Sequence, residues 1–183
     1  MNYYISDIHF GHENVIQFDN RPFNNVEEMD RELIKYWNER VSEQDDVYII
    51  GDFAYRNKKP FEWYLKQLKG RKHLIIGNHD GKLVSSKEAL VYFETVSHYL
   101  EISDNIKRII LSHYPLAEWN GFYRESYHIY GHIHNQKEGA YNYMKKMERA
   151  MNAAVCINNY VPCTLNELLQ NNQVFKRMDE EIE

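Results

Sequence analysis

The sequence predicts an α/β protein built of stacked layers. Three observations carry this. Apolar runs at 3–8, 47–50 and 71–76 alternate with amphipathic helical segments, the strand–helix–strand order of an α/β sheet. Two further runs, 99–103 and 106–112, flank Asp104-Asn105 as a hairpin and add a second, partly antiparallel sheet. Islands of Asp, His and Asn follow nearly every run, at the strand ends where open α/β sheets bind ligands.

The elements follow in order. Residues 3–8 read as a buried first strand, so Asp7 and His9 leave a core element. Asn25 with Glu28 three residues on is a capping-box pattern. Val26, Met29, Leu33, Trp37 and Val41 then recur at helical spacing, which predicts a helix over 26–42. Asp45-Asp46 is a turn before the strand at 47–50. Pro60 suits a helix start, Phe61, Tyr64, Leu65 and Leu68 form its apolar face, and Gly70 ends it. A strand at 71–76, a weak helix at 86–92 and the hairpin come next. Residues 113–125 are loop, 126–130 strand, and 135–149 are charged without a clear period. A late strand is expected at 155–160. Thr164 with Glu167 opens a final helix through a second capping box, and the acidic terminus 178–183 is expected to fray. The 183 residues suffice for one full core, and no composition shift marks a boundary, so one domain over 1–183 is expected.

The islands are Asp7-Ile8-His9, Gly51-Asp52, Gly77-Asn78-His79-Asp80, Ser112-His113 and Gly131-His132-Ile133-His134, with Gly11-His12 a weaker sixth. They supply the oxygen and nitrogen donors that divalent metals need. On a continuing strand, residues two apart share a face, so Asp7 with His9, and His132 with His134, would each grip from one side. A carboxylate can give one oxygen to each of two cations, which makes Asp52 the bridging candidate. Asn78 offers a neutral carbonyl oxygen. The adjacent His79 and Asp80 can divide substrate contact and orientation between them. Each island alone reads more plainly as a polar turn or a strand-end histidine. Their recurrence after apolar runs in one chain reads as a binuclear metal hydrolase.

Other residues have weaker settings. His12 and Asn14 lie in the loop after the first pair and are candidate substrate contacts. Arg124, between two islands, and Arg21 are candidates to grip a phosphate oxygen. Trp119 and Tyr123 either stack on a base or, more plainly, pack their loop against the body. His73, His98 and His128 are read as structural or surface residues.

In this order the islands resemble the calcineurin-like metallophosphoesterase superfamily, whose signature runs Asp-x-His, Gly-Asp, Gly-Asn-His-Asp/Glu, His and Gly-His-x-His. Every element is present between Asp7 and His134, and the stretch at 9–14 resembles compact bacterial and phage members. The resemblance implies a four-layered α/β/β/α sandwich with two mixed β-sheets flanked by helices. It implies Asp7, His9 and His134 on a first metal, Asn78, His113 and His132 on a second, and Asp52 between them. It makes His79 the electrostatic stabiliser or general acid, with Asp80 hydrogen-bonded to it and His12 as the second candidate acid. The implied reaction is hydrolysis of a small phosphodiester by in-line attack of a metal-bridging hydroxide. A phosphomonoesterase or nuclease of the same fold is the alternative, and a non-catalytic scaffold, which missing ligands would mark, is a more remote one. Manganese is expected, with iron, nickel or zinc also suited to mixed donors. Close relatives end the segment 152–162 with an aspartate where this chain has Cys156, a departure outside the ligand set.

The net charge of −5 and the absence of long basic runs disfavour extended nucleic acid as a partner, while a small phosphoester or nucleotide needs no basic surface. No window reaches transmembrane length, so no membrane partner is expected. The start Met1-Asn2-Tyr3-Tyr4-Ile5 has no signal-peptide character, and Cys156 and Cys163 read as free thiols in a reducing cytoplasm. The aromatic loops are compatible with a homo-oligomer.

Overall fold

Side chains alternate across a strand, and this period of two sets the layers. In the computed structural model, which describes residues 1–177, strand β1 (Asn2–Ile5) sends Tyr3 and Ile5 to one core and Tyr4 to another. Helices α1 (Val15–Phe18) and α2 (Val26–Arg40) follow, then β2 (Asp46–Ile50), α3 (Phe61–Leu65), β3 (Arg71–Ile75), α4 (Gly81–Val84), α5 (Lys87–Leu90) and β4 (Phe93–Ser97). These four strands form a sheet in the order β1-β2-β3-β4, parallel throughout. Strands β5 (Tyr99–Asp104), β6 (Lys107–Ser112), β7 (Tyr127–Tyr130) and β8 (Ala150–Asn152) form the second sheet, with α6 (Tyr141–Met144) between β7 and β8 and α7 (Leu165–Arg177) last. This sheet is mixed: β5–β6 is antiparallel and the other pairs are parallel.

Three cores separate four layers. Val47, Ile49 and Leu74 meet Met29, Leu33 and Trp37 of α2 under the first sheet. Tyr48, Ile50, Ile109, Leu111 and Ile129 fill the space between the sheets. Ile110 and Tyr130 turn outward to Trp119, Tyr141 and Met144. This is the α/β/β/α sandwich, and its continuous apolar strands are those of sheets covered on both faces. The two sheets are stitched where β1 ends: Ser6 pairs in parallel with Ala154, its N–H donating to Ala153 O at 2.9 Å. That stitch carries Asp7 to the loop after β7.

The Thr164 capping box forms in full and the Asn25 box in half. Asn25 Oδ1 accepts from Glu28 N at 2.9 Å, although Glu28 reaches back to Asn24. Glu167 accepts from Thr164 N at 2.8 Å, and Thr164 Oγ1 from Glu167 N. Three expectations shift. The first strand ends at Ile5, not at residue 8. β4 was not anticipated because it is an exposed edge strand with no apolar alternation. The late strand is Ala150–Asn152, while Val155–Ile157 is a 3-10 turn. There the Asn158 amide donates to Asn152 O and Ala154 O and folds the β-favouring Val155 out of a strand. The acidic terminus 178–183 lies outside the described residues. Cys156 and Cys163 are both free, and among the described residues no helix is long and apolar enough to cross a membrane.

Candidate metal centre

Five of the seven candidate ligands do not sit on strand extensions. Asp7, His9, Asp52, His132 and His134 all have left-handed backbones, with φ of 54°, 55°, 56°, 71° and 51°. Such a conformation costs a non-glycine residue on the order of 1 kcal/mol, and Asp, Asn and His tolerate it best. The strain is held by neighbouring loops. Asp7 N donates to Gly51 O, His9 N to Asp52 O and Phe10 N to Phe53 O, at 3.1, 3.0 and 3.0 Å, so the loops after β1 and β2 run side by side. A Cβ on Gly51 would collide with the His113 ring, and one on Gly131 would lie 2.6 Å from Asp7 Oδ2. The glycines ahead of Asp52 and His132 thus make room for ligands from other strands.

The side chains converge in two groups. His9 Nε2 lies 3.3 Å from His134 Nε2 and 3.6 Å from Asp52 Oδ2, and His134 Nε2 lies 3.5 Å from Asp7 Oδ1. Asp7, His9, Asp52 and His134 offer ligand atoms all within 4.8 Å of one another. On the other side, Asn78 Oδ1 lies 3.0 Å from His113 Nε2 and 2.9 Å from His132 Nδ1. His113 Nε2 is 3.7 Å from Asp52 Oδ2, so that carboxylate faces both groups. His132 and His134 therefore point into different groups, against the expectation of a shared face. The left-handed backbone at both positions breaks the strand period.

The donor set fits divalent cations. Burial, and then the neighbouring His134, holds His9 well below its usual value, so its ring stands neutral, the form that ligates metal. Burial followed by His113 lowers His132 as well. Burial raises the Asp52 carboxyl, opposed by His113 and reinforced by Asp7. Lone pairs crowded at these distances repel one another, and a cation between them removes that repulsion.

A further carboxylate supports the first group from behind. Asp19, 5% exposed, accepts from His134 Nδ1 at 2.8 Å and from Arg21 at 2.8 and 3.0 Å. Burial opposes its charge, but His134 and Arg21 prevail and hold its carboxyl below the usual range. Burial opposes the charge of His134, but the bond to Asp19 and the charges of Asp7 and Asp19 together raise it. This contact aims Nε2 at the centre, as carboxylates do behind metal-binding histidines. Arg21 also donates to Asp7 O and Ile8 O. It is buried and holds the loop, which corrects its expected role as a phosphate grip. No motif pointed to Asp19.

His79 and Asp80 separate. His79 is half-buried at the mouth, its ring 5.6 Å from His9 and 4.1 Å from Tyr55. Asp80 is fully buried, and its oxygens accept from the backbone N–H groups of Asp52, Phe53 and Gly77 at 2.8–2.9 Å. The expected bond from Asp80 to the His79 ring is replaced by these three. Asp80 fixes the turns that carry Asp52 and Asn78.

A cavity of about 300 Å³ opens over His9 and His134, lined also by His12, Asn14, Phe18, Tyr55, Arg56 and His79. His12 Nδ1 is buried there without a partner. Burial, with Arg56 alongside, pushes His12 down to about 4, so it enters neutral and is a poor proton donor near neutral pH. Arg124 is not among the lining residues and stands exposed on the turn Phe122–Arg124, which corrects its expected place. Arg56 occupies that position instead. It lies four residues after Asp52, in the loop beyond that island, and no motif marked it. Trp119 donates to Ser126 and packs in the third core, while Tyr123 is exposed and bonded to Glu118. His128 is buried and structural, and His73 bonds Thr95 and Asp46.

The model for calcineurin-like phosphoesterases matches residues 3–167. An uncharacterised protein of Methanocaldococcus jannaschii is 32% identical, over 97% of this chain and 96% of its own. The gene 66 protein of Mycobacterium phage L5 is 31% identical over 62% of each chain. A crystal structure of a protein of unknown function from Aquifex aeolicus superposes with a TM-score of 0.72, at 31% identity, over 93% of this chain and 98% of that one.

Proposed function

Because the chain belongs to the calcineurin-like phosphoesterases, we propose that it is a binuclear metal-dependent hydrolase acting on a small phosphodiester. The observation that carries this is the facing of both side-chain groups onto one Asp52 oxygen. Asp7, His9 and His134 would hold one divalent cation, and Asn78, His113 and His132 the other, with Asp52 shared. Manganese, iron, nickel and zinc all suit this mixture of oxygen and nitrogen donors. When bound, the two cations would supply the Lewis acidity that activates water and neutralises phosphate charge.

The chain supplies the rest. His79, at the mouth and near His9, is placed to hydrogen-bond a phosphate oxygen or to protonate the departing alkoxide. Arg56 can draw a phosphate oxygen into the cavity, and Asn14 can bond a substituent there. A diester is favoured because His79 and Arg56 border cavities on two sides, one for each substituent of the phosphorus. The free thiols support a reducing cytoplasmic setting. The whole chain acts as one metallophosphoesterase domain.

Purified protein, stripped and reloaded with each metal, is expected to cleave bis(p-nitrophenyl) phosphate, with chelator abolishing turnover. Asp52→Asn is expected to lower turnover at least about a thousandfold and to reduce metal stoichiometry by mass spectrometry. Full activity in D52N, or turnover by metal-free protein, would overturn the proposal.

A further inference from the structure

One phosphate at the metal centre engages Arg56 and leaves Lys58, Lys59 and Lys82 without a role. In a chain of net charge −5, residues 56–59 read Arg-Asn-Lys-Lys, and Lys82 follows the Gly77–Asp80 island. Arg56, Lys58, Lys59 and Lys82 are all exposed, and none takes part in the arginine and lysine ion pairs of the described residues. Lys59 lies 3.5 Å over the Trp63 ring, within electrostatic reach of Asp30, and Arg56 lies 5.3 Å over Tyr55.

These cations line a continuous groove. A cavity of about 430 Å³ on the far side of Tyr55 is lined by Tyr55, Arg56, Asn57, Asn78, His79 and Lys82. It shares Tyr55, Arg56 and His79 with the cavity over the metal centre, so the two meet across that rib. It continues into a third space of about 510 Å³, which adds Lys58 and Lys59, with Glu62 as its one lining carboxylate. An exposed Phe18, 71% accessible, also lines the first cavity.

We propose that this groove binds a second phosphate of the substrate, one sugar unit from the scissile diester, so that the site takes short single-stranded nucleotide chains. The inference rests on the phosphoesterase reading above. Unpaired cations in an acidic protein keep a local positive potential that draws polyanions. Lys82, with Lys58 and Lys59 farther along, can donate to the second phosphate's oxygens, and Phe18 offers a face to a base at the first cavity. The Tyr55 side chain separates the two phosphates. A sugar, and not a single anhydride oxygen, accordingly lies between them in the proposed mode.

The test is calorimetric binding to the metal-loaded protein. Thymidine 3′,5′-bisphosphate is expected to bind about tenfold more tightly than thymidine 5′-monophosphate, with an advantage that shrinks as salt is added. Lys82→Ala and the double variant Lys58→Ala/Lys59→Ala should each cut that advantage, while Lys35→Ala, on α2 and away from the groove, should leave it intact. Circular dichroism checks that the variants fold. Equal binding of the two ligands, or an advantage surviving both variants, would overturn the proposal. So would an equal dependence on Lys82 for thymidine 5′-diphosphate, whose phosphates are adjacent. The p-nitrophenyl esters of thymidine 5′-phosphate, with and without a 3′-phosphate, separate the two ideas. Hydrolysis of neither by the loaded enzyme defeats the phosphoesterase reading, while the binding comparison still decides the second phosphate site.

Discussion

His79 and Asp80 are neighbours in sequence with opposite environments. The His79 ring sits at the mouth against Tyr55, while Asp80 is sealed in by three backbone amides. Their variants should separate accordingly. His79→Ala is expected to keep its metal content, measured by mass spectrometry, while turnover falls about 10²–10³-fold. A parallel loss of metal would make His79 a ligand and not a substrate contact. Asp19 belongs to the opposite case, a residue acting through another. Asp19→Asn removes the charge behind His134 Nδ1, and metal affinity by calorimetry should fall roughly 10–100-fold with the fold intact. Unchanged affinity would mean that packing alone orients His134.

The ends of the strands, more than the strands, build the site. β1, β2, β3, β6 and β7 each stop at or just short of a candidate ligand, and left-handed residues turn the side chains inward. The motifs picked out residues that the fold gathers, but the strand period put His132 and His134 on one face, and they point into different groups. A period of two holds only while φ stays extended, and positive φ at Asp7, His9, His132 and His134 ends it. Gly131 shows how tight these turns are, since an added Cβ meets Asp7 Oδ2 and Ser6 Oγ at 2.6 Å. Gly131→Ala is therefore expected to cost about 1–3 kcal/mol and lower the Tm by roughly 2–12 °C, with weakened metal binding. Wild-type Tm and metal content in this variant would contradict the close approach.

For the molecule as a whole, acid stability should follow its buried neutral histidines. His128 donates from Nδ1 to Ile110 O, accepts from Leu116 N through Nε2, and is pushed by burial from an ordinary value near 6.5 down to about 4. The unfolded chain therefore takes up this proton first as the pH falls. The contribution is fully present above about 6.5 and lost progressively toward about 4, reaching about 3 kcal/mol for this group. His128→Gln, although less stable at neutral pH, should show a shallower decline of Tm between pH 6.5 and 4; an equally steep decline would assign the acid loss elsewhere. The layered fold and the seven candidate ligands were legible in the chain because apolar period and donor islands are local patterns, each readable within a few residues. The edge strand β4, the support from Asp19 and Arg21, the burial of Asp80 and the place of Arg56 were not. Each depends on contacts between segments far apart in sequence, such as Asp19 with His134 or Asp80 with Asp52. Local chemistry names the donors, and the meeting of the two sheets at Ser6 and Ala154 settles which of them face one another.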